Sequence, residues 1–288
     1  RRIIRKLSKL RDRLPSSFFI TGVTERDEHP SFAGGFGDIY RASYKNRAVA
    51  VKQMRYFEVD FNVRRRIHYE FCREALVWKD LLHPHILPFL GIDLDNFPAH
   101  LCLVSPWMEN GTVLNYFENY GRANVDKLLY EVAQGLFYLH SRSYVHGDLR
   151  GANILINEDQ SACLADFGLS VISEATLTLS SNRAGSIHWM APELIDPDRF
   201  GRKFAKTPAS DVYAFGCVCI ELYTGRPPFR NLSEMAVMFK ILNGARPERP
   251  HGMSDMLWQC VNTYWVDEPA ARSATEVVVQ NMMPRNPQ

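Results

Sequence analysis

His146-Gly147-Asp148-Leu149-Arg150-Gly151-Ala152-Asn153 places an aspartate and an asparagine five positions apart in what reads as a loop. A loop can turn both side chains toward one reaction centre. The carboxylate can accept a hydroxyl proton, and the amide oxygen can bind a hard cation. Asp166-Phe167-Gly168 follows, and its aspartate stands thirteen residues after Asn153. A second carboxylate at that distance can complete an oxygen-ligand site for Mg²⁺. Ala191-Pro192-Glu193 and Ser210-Asp211-Val212-Tyr213-Ala214-Phe215-Gly216 come next in order. Upstream lies Gly34-Gly35-Phe36-Gly37, before a strand, where backbone amides can approach phosphates. A glycine cluster of this kind is by itself only a turn. Lys52 ends an apolar strand, and alone such a lysine is usually solvated.

The rest of the chain bounds what this set can belong to. The 288 residues suffice for about two domains, or one large two-lobed one. Hydrophobic residues make up 46% and charged residues 23%, which excludes disorder throughout. The net charge of +2 gives no global reason to expect nucleic acid as a partner. Six cysteines are scattered, without a CxxC pair, so reduced thiols and a cytoplasmic location are expected rather than zinc or disulfides. Val212 to Ile220, nine residues, is the longest uncharged apolar run and is too short for a transmembrane span. The first residue is Arg1, which suggests a piece of something longer.

Periodicity predicts strands over 38–42 and 47–54, joined by a Lys45-Asn46 turn. A long helix is expected from about Val63 to Leu82, closed by His83-Pro84, then strands at 87–94 and 100–105. After Gly111 the pattern predicts helices over 113–119 and 124–141, short strands around 153–156 and 161–164, and mainly helix beyond. Ser210–Thr224 is apolar nearly all round and should be a buried central helix. A small β-rich part, a joint near Ser105–Gly111 and a larger helical part follow from this. Residues 1–14, with Ile3, Ile4, Leu7, Leu10 and Leu14 on one face, read as a basic amphipathic helix. It can lie on a membrane surface; docking on the following domain is the expectation.

In this order and at these spacings the motifs resemble the eukaryotic protein-kinase domain, over roughly residues 28–280. The wording GSIHWMAPE with SDVYAFG is most similar to the tyrosine-kinase-like serine/threonine group. The run HGDLRGANILI is similar to kinase domains of mushroom-forming fungi. The resemblance implies an α+β, two-lobed fold with a cleft between the lobes. It places an N-lobe at 28–105, a hinge at 106–111 and a C-lobe at 112–280, with extensions at 1–27 and 281–288. It implies ATP and Mg²⁺ as cofactors and protein substrates as partners; oligomeric state stays open.

Role by role, the resemblance gives Lys52 the α/β-phosphates and Glu74 as its partner, with Glu70 one turn earlier as the rival. Asp148 resembles the catalytic base, and Asn153 and Asp166 resemble the metal ligands. Gly34, Gly35 and Gly37 correspond to the phosphate loop. Ile39, Ala50 and Leu155 would sandwich the adenine. Pro106 C=O and Met108 N–H would face its edge, beside Ser105 as gatekeeper. Trp78, Phe89, His146 and Phe167 would stack as a spine. Asp211 should accept backbone hydrogen bonds from the catalytic loop, and Glu193 should pair with Arg272. Ser186 can bridge toward Asp148. Three departures stand out: Phe32 replaces the first loop glycine, Gly147 replaces the arginine of HRD, and the segment Tyr56–Tyr69 is long and holds Arg64-Arg65-Arg66. Phe32 and Gly147 leave a pseudokinase as one alternative. A tyrosine kinase is the other, against which Gly185-Ser186-Ile187 argues.

Overall fold

The computed structural model describes residues 14–34, 37–54, 71–72, 75–97, 100, 102–166 and 186–283. These fall into two compact units. One runs to Trp107 apart from His83–His85; the other holds His83–His85 and the described chain from Met108 on. The helix expected over 1–14, Gly35, Phe36, the segment Tyr56–Tyr69, Glu70, Glu74, Phe167, Gly168 and Gly185 lie outside the described residues or nearly so, Leu14 alone being described.

The N-terminal unit is a seven-stranded sheet. Its strands are β1 (Phe19–Ile20), β2 (Val23–Thr24), β3 (Phe32–Gly34), β4 (Gly37–Tyr44), β5 (Arg47–Met54), β6 (Gly91–Asp93) and β7 (Cys102–Pro106). The order is β1-β6-β7-β5-β4-β2, with β3 also paired to β4. Lys45 and Asn46 both take positive φ, +50° and +60°, between the partners Tyr44 and Arg47. That is the two-residue turn whose twist suits a hairpin. Alternation then sorts the side chains. Tyr40, Ala42, Val49, Val51, Cys102 and Val104 form a buried cluster. The other face carries the rows Ile39–Lys52–Leu103 and Arg41–Ala50–Ser105.

Two expected elements are shorter than their patterns. The strand predicted over 87–94 is only β6, Gly91–Asp93, because Pro88 cannot donate to a ladder. The helix predicted to Leu82 has its last helical residue at Trp78. There the hydrogen bonds tighten, from Lys79 N–H on Ala75 C=O to Asp80 N–H on Val77 C=O and Leu81 N–H on Trp78 C=O. Strands β1 to β3 have no counterpart among the predicted elements; at two or three residues they carry no readable alternation.

The C-terminal unit contains α1 (Val113–Tyr120), α2 (Val125–Ser141), the hairpin β8 (Ile154–Ile156) and β9 (Ala162–Leu164), α3 (Pro192–Ile195), α4 (Pro208–Thr224), α5 (Glu234–Leu242), α6 (Asp255–Tyr264) and α7 (Thr275–Met282). The expected α+β class, with a β-rich N-lobe and a helical C-lobe, holds. α4 is the central helix: every residue from Ser210 to Leu222 is buried. Thr207 and Ser210 close a capping box at its start. Glu131 on α2 reaches across to accept the Ala162 N–H at 2.8 Å, tying α2 to β9.

Candidate active site

In the N-terminal unit Lys52 is only 8% exposed, so the solvated alternative fails. It lies in a row with Ile39 and Leu103, one step along β5 from the row of Ala50 and Ser105. Pro106, expected in the joint, instead ends β7 opposite Val49. Its missing N–H costs nothing at a strand end. Pairing extends one residue further, where Trp107 N–H donates to Ala48 C=O at 3.1 Å. Trp78 and Phe89 pack with ring centroids 5.3 Å apart. Trp78 donates its indole N–H to Leu87 C=O at 2.6 Å.

In the C-terminal unit the loop of residues 146–153 hangs on two buried carboxylates of α4. Asp211, 2% exposed, accepts His146 N–H at 2.7 Å and Gly147 N–H at 2.8 Å. His140 Nε2 contacts the same carboxylate at 2.9 Å. Partners of this kind are what a carboxylate in so apolar a helix requires. Gly147 takes φ +79°, a conformation that costs a side-chain-bearing residue about 1 kcal/mol or more. One helical stretch further along α4, Glu221 accepts Gly151 N–H and the Trp189 indole N–H, each at 2.8 Å. A Cβ on Gly151 would stand 2.9 Å from Glu221 Oε1, so only glycine lets the loop settle this close.

The loop presents Asp148 with both oxygens engaged. Oδ2 accepts from Asn153 Nδ2 at 3.0 Å, and Oδ1 accepts from the Ser186 hydroxyl at 3.1 Å. Asn153 Nδ2 also donates to Asp148 C=O at 2.7 Å. With its amide nitrogen so used, Asn153 has its oxygen left for a hard cation. Asp166, the other expected ligand, takes φ +56°, a conformation rare outside glycine. One amide oxygen and one carboxylate suit Mg²⁺, which usually takes the rest of its shell from phosphate and water. Among the described residues no group of three or more His, Cys, Asp or Glu side chains is placed to hold a metal.

Glu193 and Arg272 form a bidentate pair at 2.6 and 2.7 Å. It is buried rather than the surface pair it could have been: the side chains are 5% and 0% exposed. Sequence patterning alone does not single out Glu221 and Trp189 as supports of the loop. The available signal was a lone glutamate inside the apolar run of α4.

A family model described as protein tyrosine and serine/threonine kinase matches residues 32–282. The chain belongs to the protein kinase family. Serine/threonine-protein kinase STY46 of Arabidopsis thaliana is 26% identical to it over 259 residues, 88% of this chain and 43% of that protein. Cytokinesis protein sepH of Aspergillus niger is 36% identical over 236 residues, 79% of this chain and 17% of that protein. Serine/threonine/tyrosine-protein kinase HT1 of Arabidopsis thaliana is 31% identical over 246 residues, 83% of this chain and 61% of that protein. The chain therefore spans less than two thirds of each of these relatives.

Two buried groups under the kinase loop titrate away from their ordinary values. Burial lowers the His146 ring, against the pull of the Asp211, Asp148 and Asp166 carboxylates. Burial pushes the Glu221 carboxyl up from 4.5 to about 7, although Gly151, Trp189 and Arg150 all favour its ionised form. The folded kinase thus holds a proton on Glu221 that the unfolded chain releases. Stability from this proton is complete below pH 4.5 and falls as pH rises toward 7. His146 acts in the opposite sense, favouring the fold above its ordinary pKa. Glu221→Gln should flatten the Glu221 arm alone, so the difference in melting temperature between parent and variant should change across that window. A difference independent of pH would contradict this.

Proposed function

We propose that this kinase domain transfers the γ-phosphoryl group of ATP to serine and threonine hydroxyls of proteins. The observation that carries the reading is the Asp148 carboxylate, pinned by Asn153 on one oxygen and already contacting a hydroxyl, that of Ser186, on the other. A substrate hydroxyl placed as Ser186 is would hand its proton to Asp148 while its oxygen bonds to phosphorus and the bond to the ADP oxygen breaks. Lys52 would hold the α/β-phosphates with Glu74 as its partner, and the Gly34-Gly35-Phe36-Gly37 turn would cover them. Ile39, Ala50 and Leu155 would take the base, with Pro106 C=O and Met108 N–H at its edge. Asn153 and Asp166 would hold Mg²⁺, which when bound neutralises phosphate charge. Positioning and electrostatics supply most of the barrier reduction.

The domain is read as 28–280, in the tyrosine-kinase-like group, with the fungal likeness of HGDLRGANILI as its finer placement. Five buried thiols suit a reducing, cytoplasmic setting. Among the described residues no helix is long and apolar enough to cross a membrane. Serine/threonine specificity is tested by phosphoamino-acid analysis after incubation with labelled ATP and mixed acceptor proteins. Phosphoserine and phosphothreonine are expected; label mainly in phosphotyrosine would reject it.

Gly147 also bears on control. A loop phosphate orders a segment only where arginines can pair with it, and here the HRD position offers no side chain. Changing Thr176, Thr178, Ser180 and Ser181 together to alanine should therefore leave kcat/KM within about tenfold of the phosphorylated parent. A loss beyond about a hundredfold, ~2.7 kcal/mol, would show that another cation has taken the arginine's place.

A further inference from the structure

Phe32 stands where the family pattern has the first glycine of its loop, and its side chain is 51% exposed. A phenylalanine this open is not serving the core. Register fixes where it points. Phe32 is the direct cross-strand partner of Ile39, which is in turn the partner of Lys52. Directly opposed residues share a face, so Phe32, Ile39, Lys52 and Ala50 rise from one side of the sheet. Phe32 is also held sideways. Its ring stacks on Trp107, with centroids 6.1 Å apart and planes 30° from parallel. Trp107 is itself fixed, by its N–H on Ala48 C=O at 3.1 Å and by the Arg41 guanidinium 5.7 Å from its ring centroid.

This side of the sheet has a polarity. Phe32 and Ile39 start level with Lys52, but the Phe32 ring leans to Trp107, whose backbone bonds Ala48, so the aromatic pair and the small Ala50, with Arg41 beside them, make the end away from Lys52 largely apolar. Lys52, two residues and roughly 6–7 Å further along β5, makes the other end cationic. A flat apolar ring carrying an anionic tail fits that sequence of surfaces. Resting on the ATP reading above, we propose that Phe32, braced by Trp107, is a binding residue that covers the adenine base. It supplies at the base end the contact area that a glycine in its place would not. A stacked ring over a base is worth several-fold in affinity, and it acts on the base alone rather than on the phosphates.

The test uses the full chain and two probes, Mg-ATP and adenosine, titrated by calorimetry against the parent, Phe32→Gly, Phe32→Leu and Trp107→Ala. A half-exposed side chain can be removed without opening the core, and Phe32→Leu keeps an apolar group should the glycine loosen β3. Phe32→Gly should weaken ATP and adenosine by the same five- to tenfold factor, with Phe32→Leu between. Trp107→Ala should weaken both as well, and the double variant should be no worse than the weaker single by more than about twofold, because the two rings act as a unit. Weakening of ATP alone would place the effect at the phosphate turn and overturn the proposal. Unchanged or tighter binding of both probes would overturn it too. A parent that binds neither probe would overturn the ATP reading along with it, whereas a parent that binds both and ignores the Phe32 variants defeats only the present inference.

Discussion

Asp148→Ala is expected to lower kcat by about 10²–10⁴ while leaving the melting temperature and nucleotide affinity close to the parent. Asp148 Oδ1 faces the Ser186 hydroxyl and its Oδ2 the Asn153 amide, so removing the side chain deletes a proton acceptor and two side-chain hydrogen bonds. The loop itself remains attached, because its backbone hangs on Asp211 through His146 and Gly147 and on Glu221 through Gly151. Asp148→Asn should be nearly as damaging, since an amide can accept the hydrogen bond but not the proton. A variant that lost activity and stability together would show that Asp148 is a structural post.

Arg272→Ala should be the most destabilising single change in the C-terminal unit, by about 3–5 kcal/mol, with a fall in melting temperature of roughly 10 °C. Glu193 would be left as a buried carboxylate without its cation. Arg272 also donates to the backbone carbonyls of Val266, Ala209 and Asp267, at 2.9, 3.0 and 3.0 Å. The guanidinium therefore binds α3, the start of α4 and the loop ahead of α7 into one knot. Arg272→Met combined with Glu193→Leu should recover part of the loss, because no lone charge stays buried, but the three carbonyls still lose their donor. A double variant less stable than Arg272→Ala would contradict the charge-burial account. Urea melts followed by far-UV circular dichroism give the comparison.

What was readable in the chain, and what was not, follows from how local each signal is. The β4–β5 hairpin announced itself through Lys45-Asn46 and the run Arg47–Met54, because turn chemistry and alternation are short-range. α4 announced itself through apolar residues on every side. The anchors Asp211 and Arg272 could be placed from motif order, and their expected partners are the ones found. Glu221 could not, because its meaning lies in Gly151 and Trp189, seventy and thirty-two residues away. The overlong helix and strand predictions failed where a proline or a tightening of hydrogen bonds, rather than a change in hydrophobicity, ends the element. Phe32 was visible as a departure, but its stacking on Trp107 joins residues that no periodicity connects.

Phosphoryl transfer is measured directly as label incorporated into protein from γ-labelled ATP and Mg²⁺ by the parent chain and by Asp148→Ala, with nucleotide affinity measured on both. Label in acceptor proteins is expected at a rate at least a hundredfold above the variant, with ATP bound by both. A parent that binds ATP and transfers nothing to itself or to any acceptor would contradict phosphoryl transfer and leave a nucleotide-binding scaffold in its place.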